Sequence, residues 1–169
     1  MNTLYKTRKL FLPILFGIFT TVSALAEWEE GGELPDLSAY GLEGSLPGIE
    51  GKVTYVDFWA SWCAPCKASF PEMERIYLEN EDAGFQVLAV SVDSTQKAMQ
   101  RFLDRAKPSF AIVWDREQKL VADAGIEVMP TSFLVDAKGI IRKVHYGWRG
   151  GETAAELERE IAKLLEEKE

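Results

Sequence analysis

A strand-like run, Lys52-Val53-Thr54-Tyr55-Val56-Asp57-Phe58-Trp59-Ala60, leads straight into Ser61-Trp62-Cys63-Ala64-Pro65-Cys66-Lys67. The first stretch is β-branched and aromatic, the composition of a buried strand. From Ala64 to about Asn80 the period changes: Phe70, Met73, Ile76 and Tyr77 fall at i, i+3, i+6 and i+7, one apolar stripe of a helix. A strand that becomes a helix within a few residues leaves few folds open. It predicts an α/β sheet with Cys63 and Cys66 at the carboxyl end of a strand, where such sheets gather their sites. Pro65 fits the first helical turn, because an N–H there would have no partner. Pro71 lies inside the helix and is expected to kink it, since it lacks the donor and crowds the preceding turn.

The rest of the chain extends this pattern. Phe85 to Val92 reads as a second buried strand after Asp82-Ala83-Gly84. Asp93, Ser94 and Thr95 offer capping oxygens to a helix running to about Ala106, and Pro108 closes it. Phe110 to Trp114 is a short strand, followed by a helix over roughly Gln118 to Ala124. Thr131 to Val135 and Ile140 to Tyr146 read as strands joined by a turn at Asp136-Ala137-Lys138-Gly139. Glu152 to Glu167 is an amphipathic helix with Leu157, Ile161, Leu164 and Leu165 inward. The order β-α-β-α-β-α-β-β-α predicts parallel neighbours with a late antiparallel edge. Residues 27–51 read as an irregular lead-in, with an edge hairpin expected near Leu34-Pro35-Asp36-Leu37.

Residues 1–26 have a different character. Lys6, Arg8 and Lys9 precede an uncharged stretch from Leu10 to Ala26, which ends in Ala24-Leu25-Ala26. This is the layout of a secretory signal peptide, with small residues at −3 and −1. The alternative is an uncleaved membrane anchor, although 17 uncharged residues fall short of the usual ~20. No Cys near the leader's end could take a lipid. On either reading the expectation is an exported domain, periplasmic or anchored in the inner membrane facing the periplasm; contact with membrane follows only from an uncleaved leader. Loss of three cations and no anions would take the net charge from −8 to −11. An acidic chain without a basic stripe is a poor nucleic-acid binder.

The chain has two Cys and one His. A bridge between Cys63 and Cys66 closes so short a loop that it removes little unfolded-state entropy, so a structural staple is the weaker reading. Zinc is weaker still, because a closed site takes four ligands and only Cys63, Cys66 and His145 are to hand. Redox chemistry remains. A helix start offers unpaired N–H groups and the positive end of a dipole, which favour the Cys63 thiolate. Cys66, one turn on, should be more buried. No cofactor or metal is expected beyond the Cys63–Cys66 pair itself.

Val56-Asp57-Phe58-Trp59-Ala60-Ser61-Trp62-Cys63-Ala64-Pro65-Cys66-Lys67 resembles the active-site stretch of thioredoxins. Met129-Pro130-Thr131 resembles their cis-proline loop, and Pro71 matches the proline of their active-site helix. Within the superfamily the chain is similar to the exported TlpA/ResA-like branch, on the leader, Pro35-Asp36, Phe133-Leu134-Val135-Asp136 with Gly139, and the 67 positions from Cys63 to Pro130. The resemblance implies a thioredoxin fold over residues 35–169: a mixed central sheet flanked by helices, with an extra βα insertion and an N-terminal extension. It implies Cys63 as nucleophile and Cys66 as resolving thiol. Trp62, Met129 and Pro130 would meet the client, with Pro65 and Pro71 in support and Asp57 as a buried proton acceptor for Cys66. Two departures stand out. The strand Phe85–Val92 lacks the Lys that thioredoxins keep near the acid, and Ser69 stands where ResA-like proteins often carry a Glu.

Several functions compete on this pattern. The leading one is a reductant of client proteins with disulfides or cysteine pairs, as in cytochrome c maturation, recharged by a DsbD-like membrane thiol donor. A disulfide-forming oxidant of the DsbA kind would have Cys-Pro-His-Cys, and Ala64-Pro65 brings no such charge. A peroxidase of the peroxiredoxin kind would place Thr three residues before its Cys, where this chain has Ala60. A redox-silent binding module would not need the intact pair. His145 reads as a strand residue pointing outward.

Overall fold

The computed structural model describes residues 28–168. The expected leader, residues 1–26, lies outside the described residues. A 3₁₀ turn, Leu37–Tyr40, comes first, then β1 (Glu43–Gly44), β2 (Val53–Trp59), α1 (Ala64–Asn80), β3 (Phe85–Ser91) and α2 (Gln96–Ala106). β4 (Ala111–Trp114), α3 (Lys119–Asp123), β5 (Thr131–Val135), β6 (Ile141–Tyr146) and α4 (Gly151–Glu167) complete it.

The strands form one mixed sheet in the order β1-β4-β3-β2-β5-β6. β2, β3 and β4 are parallel, as helix crossovers require. β5 departs from the expectation of parallel neighbours: although α3 separates it from β4, it crosses the sheet and pairs antiparallel with β2. The late hairpin therefore puts β5 inside the sheet and only β6 at its edge. β4, with helices α2 and α3 on either side in sequence, fills the extra length between Cys63 and Pro130.

Two layers cover the sheet. Tyr55, Asp57 and Trp59 alternate with Val56 and Phe58 along β2, so the two sets face opposite sides. On the first side Trp59 packs edge-on against Phe70 of α1 at 4.8 Å, and Phe70 meets Phe102 of α2 at 4.9 Å. α4 shares this side, held to α1 by Arg75 and Glu158 at 2.6 Å. On the second side Phe58 meets Phe133 and Trp28, and Asp123 of α3 accepts from Trp28 Nε1 and the Tyr40 hydroxyl. That hydroxyl's pKa is pushed up to about 12, by burial first and then by its bond to Asp123. α1 continues as one helix past Pro71, which contributes no N–H to its ladder. Thr95 caps α2, accepting from Ala98 N–H at 3.3 Å.

The lead-in makes no hairpin of its own among the described residues. Asp36 instead caps the 3₁₀ turn, β1 pairs antiparallel with β4, and Glu33 bridges Ile140. The Asp36 carboxylate is satisfied by Ser38 N–H and Oγ, a local bond that competes with strand pairing. At Gly44 the backbone has φ +125°, and a Cβ would lie 2.8 Å from the Ile112 carbonyl oxygen. Only glycine fits there.

Candidate active site

β2 ends at Trp59, and the chain turns through Ala60, Ser61 and Trp62 before α1 begins. Asp93, itself 1% exposed, holds this turn. Its carboxylate accepts from Ser61 N–H at 2.9 Å, Ser61 Oγ at 2.7 Å and Ser91 Oγ at 3.0 Å. Its carbonyl accepts from Trp114 Nε1 at 2.7 Å. Sequence reasoning offered Asp93 as a helix cap and missed this part; an acid directly after a fully buried strand, beside Ser91, was the available signal.

Cys63 is the N-cap of α1, with extended backbone at φ −82°, ψ 110°. Its Sγ accepts from Cys66 N–H at 3.2 Å. The two cysteines are disulfide-bonded with Cα atoms 5.3 Å apart. Cys63 keeps 5% of its surface exposed and Cys66 none. Cys63 thus keeps a narrow exposure at the positive end of a helix dipole, and Cys66 has none. Pro65 occupies the first turn, and Ser69 Oγ donates to the Cys66 carbonyl at 2.7 Å. That bond occupies the buried Ser69 side chain.

The Met129–Pro130 peptide is cis. Gly147 N–H donates to the Pro130 carbonyl at 2.7 Å, and Thr131 Oγ1 to the Val128 carbonyl at 2.7 Å, which fixes the loop. Phe58 pairs with Thr131 and Thr131 with Tyr146, so this loop shares the end of the sheet from which Cys63 emerges. Large apolar groups are exposed at this end: Trp62 at 65%, Val128 at 52% and Tyr146 at 66%. Trp62 and Met129 were expected in such a rim; Val128 and Tyr146 were not, because a lone apolar residue in a loop or at a strand end carries no pattern.

Asp57 is 1% exposed, on the side of the sheet that α1 covers. Ser132 Oγ donates to its Oδ1 at 2.6 Å, and Oδ2 has no hydrogen-bond partner. Burial pushes its carboxyl up to about 7, against the pull of the Ser132 bond. Opposite it on β3 stands Ala89, so no cation offsets the charge there.

His145 corrects the sequence reading. It is buried, not outward, and its Nε2 lies 2.9 Å from Glu160 Oε2 of α4. Arg149 Nη2 approaches Glu156 of the same helix at 3.7 Å.

The comparisons with known proteins meet this geometry. The family model described as Redoxin matches residues 5–161. The chain belongs to this family. A thiol-disulfide oxidoreductase ResA of Halalkalibacterium halodurans is 37% identical over 114 residues, which span 68% of this chain and 64% of that protein. ResA of Bacillus anthracis is 31% identical over 137 residues, 79% of this chain and 78% of the relative. Among solved structures, a Chlorobium tepidum protein assigned as a thiol:disulfide interchange protein DsbE is 34% identical, with a TM-score of 0.75. It covers 81% of this chain, which covers 98% of it. StoA of Bacillus subtilis is 30% identical with a TM-score of 0.57, over 65% of this chain and 82% of its own. The chain is a thiol-disulfide oxidoreductase of the ResA/DsbE type with a thioredoxin-like fold.

Proposed function

We propose that the chain is an exported reductant of client disulfides, with Cys63 as nucleophile and Cys66 as resolving thiol. The observation that carries this reading is the asymmetry of the pair: Cys63 caps a helix and keeps 5% of its surface exposed, and Cys66 is fully buried. A thiolate at Cys63 attacks one sulfur of a client disulfide, forming a mixed disulfide and releasing the other client sulfur as a thiolate. Cys66 passes its proton to Asp57 and attacks Cys63 Sγ, forming Cys63–Cys66 and expelling the second client thiolate. The client gains two electrons, and the pair is oxidised. Trp62, Met129 and the backbone around Pro130 seat the client, while Pro65 and Pro71 support the helix that carries the pair.

The reducing direction is favoured by Ala64-Pro65, which adds no charge between the cysteines to stabilise a thiolate further. A leader over residues 1–26 supports export to the periplasm, cleaved or kept as an anchor, with residues 35–169 as the working domain. There a DsbD-like thiol donor would recharge the pair, and apocytochrome c thiols are the client class suggested by the family.

Insulin disulfide reduction is the direct test. Cys63→Ser is expected to fall to the uncatalysed rate, a loss of at least ~100-fold; activity equal to that of the unaltered chain overturns the nucleophile assignment. Acid-quenched thiol trapping in the native compartment tests direction. A mostly reduced pair is expected, and a mostly oxidised one overturns the reductant.

A further inference from the structure

Strand register lines up three polar residues behind the disulfide. Asp57 of β2 pairs with Ser132 of β5, and Ser132 pairs with His145 of β6, so all three side chains share the face covered by α1 and α4. Tyr55, two residues before Asp57, projects on the same side; its ring lies 6.0 Å from that of His145, and its side chain reaches Ser132. The row runs from Asp57 Oδ1, 2.6 Å from Ser132 Oγ, to His145 Nε2, 2.9 Å from Glu160 Oε2. Those last two atoms are close without being aligned for a hydrogen bond. Asp57 and His145 are buried, and Glu160 reaches the surface with 18% of its side chain exposed. A buried polar row this long is costly unless it has a use.

We propose that His145 and Glu160 are positioning residues for Asp57, their charges setting the pH at which Asp57 releases its proton and so the pH at which Cys66 can attack. The inference rests on the reading of Asp57 as proton acceptor. The charged and titratable groups facing this row are Tyr55 from β2, Lys143 from β6 itself, Arg149 from the loop after it, and Glu156 and Glu160 from α4. Burial holds the Glu160 carboxyl above its ordinary range, opposed chiefly by His145. Across two strand spacings, about 10 Å, a unit charge in a protein interior displaces a titration by about 0.5–1 pH unit.

The test is the carbon-13 NMR titration of the Asp57 carboxyl in the oxidised full chain, assigned by the signal lost in Asp57→Asn. The pH profile of insulin reduction is recorded in parallel. Glu160→Gln removes a negative charge and is expected to move the Asp57 midpoint down by about 0.5–1 unit. His145→Gln removes the main group that opposes Glu160 and is expected to move it up by a similar amount. A packing defect would displace both in one direction. Displacement in the same direction, in one variant alone, or in neither overturns the inference. If His145→Gln does not fold, Glu160→Arg takes its place, and its downward displacement should be about twice that of Glu160→Gln; an equal or smaller one overturns the inference. Asp57→Asn separates the two levels. If it leaves the pH–rate profile unchanged, the proton-acceptor reading fails, whatever the NMR midpoints do. If it removes the inflection while the midpoints stay fixed in the variants, the inference alone fails.

Discussion

Asp57 and Asp93 are equally buried, each 1% exposed, and sit on adjacent strands and their ends. Their surroundings differ. Both oxygens of Asp93 are occupied, by the Ser61 N–H, the Ser61 hydroxyl and the Ser91 hydroxyl. Asp57 has one donor, Ser132, and a bare second oxygen. A carboxylate held by several donors is a structural part, whereas one left half-satisfied in low dielectric is a poised acid. Burial alone separates neither role; the count of donors does.

The largest break of this comparison is Asp57→Asn. The folded carboxyl, raised from the ordinary 3.8 to about 7, keeps its proton over the interval in which the unfolded chain has released it. Stability from this group is therefore whole below about pH 4 and lost as the pH rises through about 7. Asp57→Asn should gain about 2–4 kcal/mol over the unaltered chain at pH 8 and almost nothing at pH 4, read from urea midpoints. Asp93→Asn should do the opposite. It turns one acceptor into a donor against hydroxyl and amide donors, and should lose about 2–3 kcal/mol in the same assay. A gain at both positions would dissolve the distinction. The smallest effect sharpens it: Ser132→Ala removes the only donor on Asp57 and should raise its titration midpoint by about 0.5–1 pH unit by NMR.

The sequence carried the site's skeleton through features that are local. Cys63 at a helix start, Pro65 in the first turn, Thr95 among the caps and the burial of Asp57 each follow from neighbours within a few residues, whereas the cis Pro130 was implied by the resemblance of Met129-Pro130-Thr131 to the thioredoxin loop. The misreadings were long-range. Val144 is apolar and Lys143 charged, so alternation along β6 appeared to turn His145 toward solvent; α4 covers the other face, and a register shift at Leu134/Val135 interrupts the pairing. β5 could not be placed from its helix spacing, because an antiparallel return across the sheet leaves no local mark. Asp36 was taken for part of a hairpin, although its bond to Ser38 made a turn. Asp93 looked like a cap because its partners Ser61 and Trp114 are 32 and 21 residues away.

The two-residue β1 guards an edge of the sheet. Without it, β4 would end the sheet with open amides and carbonyls, the kind of border on which a second chain can add a strand and seed aggregates. Glu43 and Gly44 close part of that border, and Arg116 pairs with Glu43 at 3.2 Å beside it. Because only glycine fits against Ile112, any side chain at position 44 would loosen this guard and favour self-association, with the disulfide site untouched.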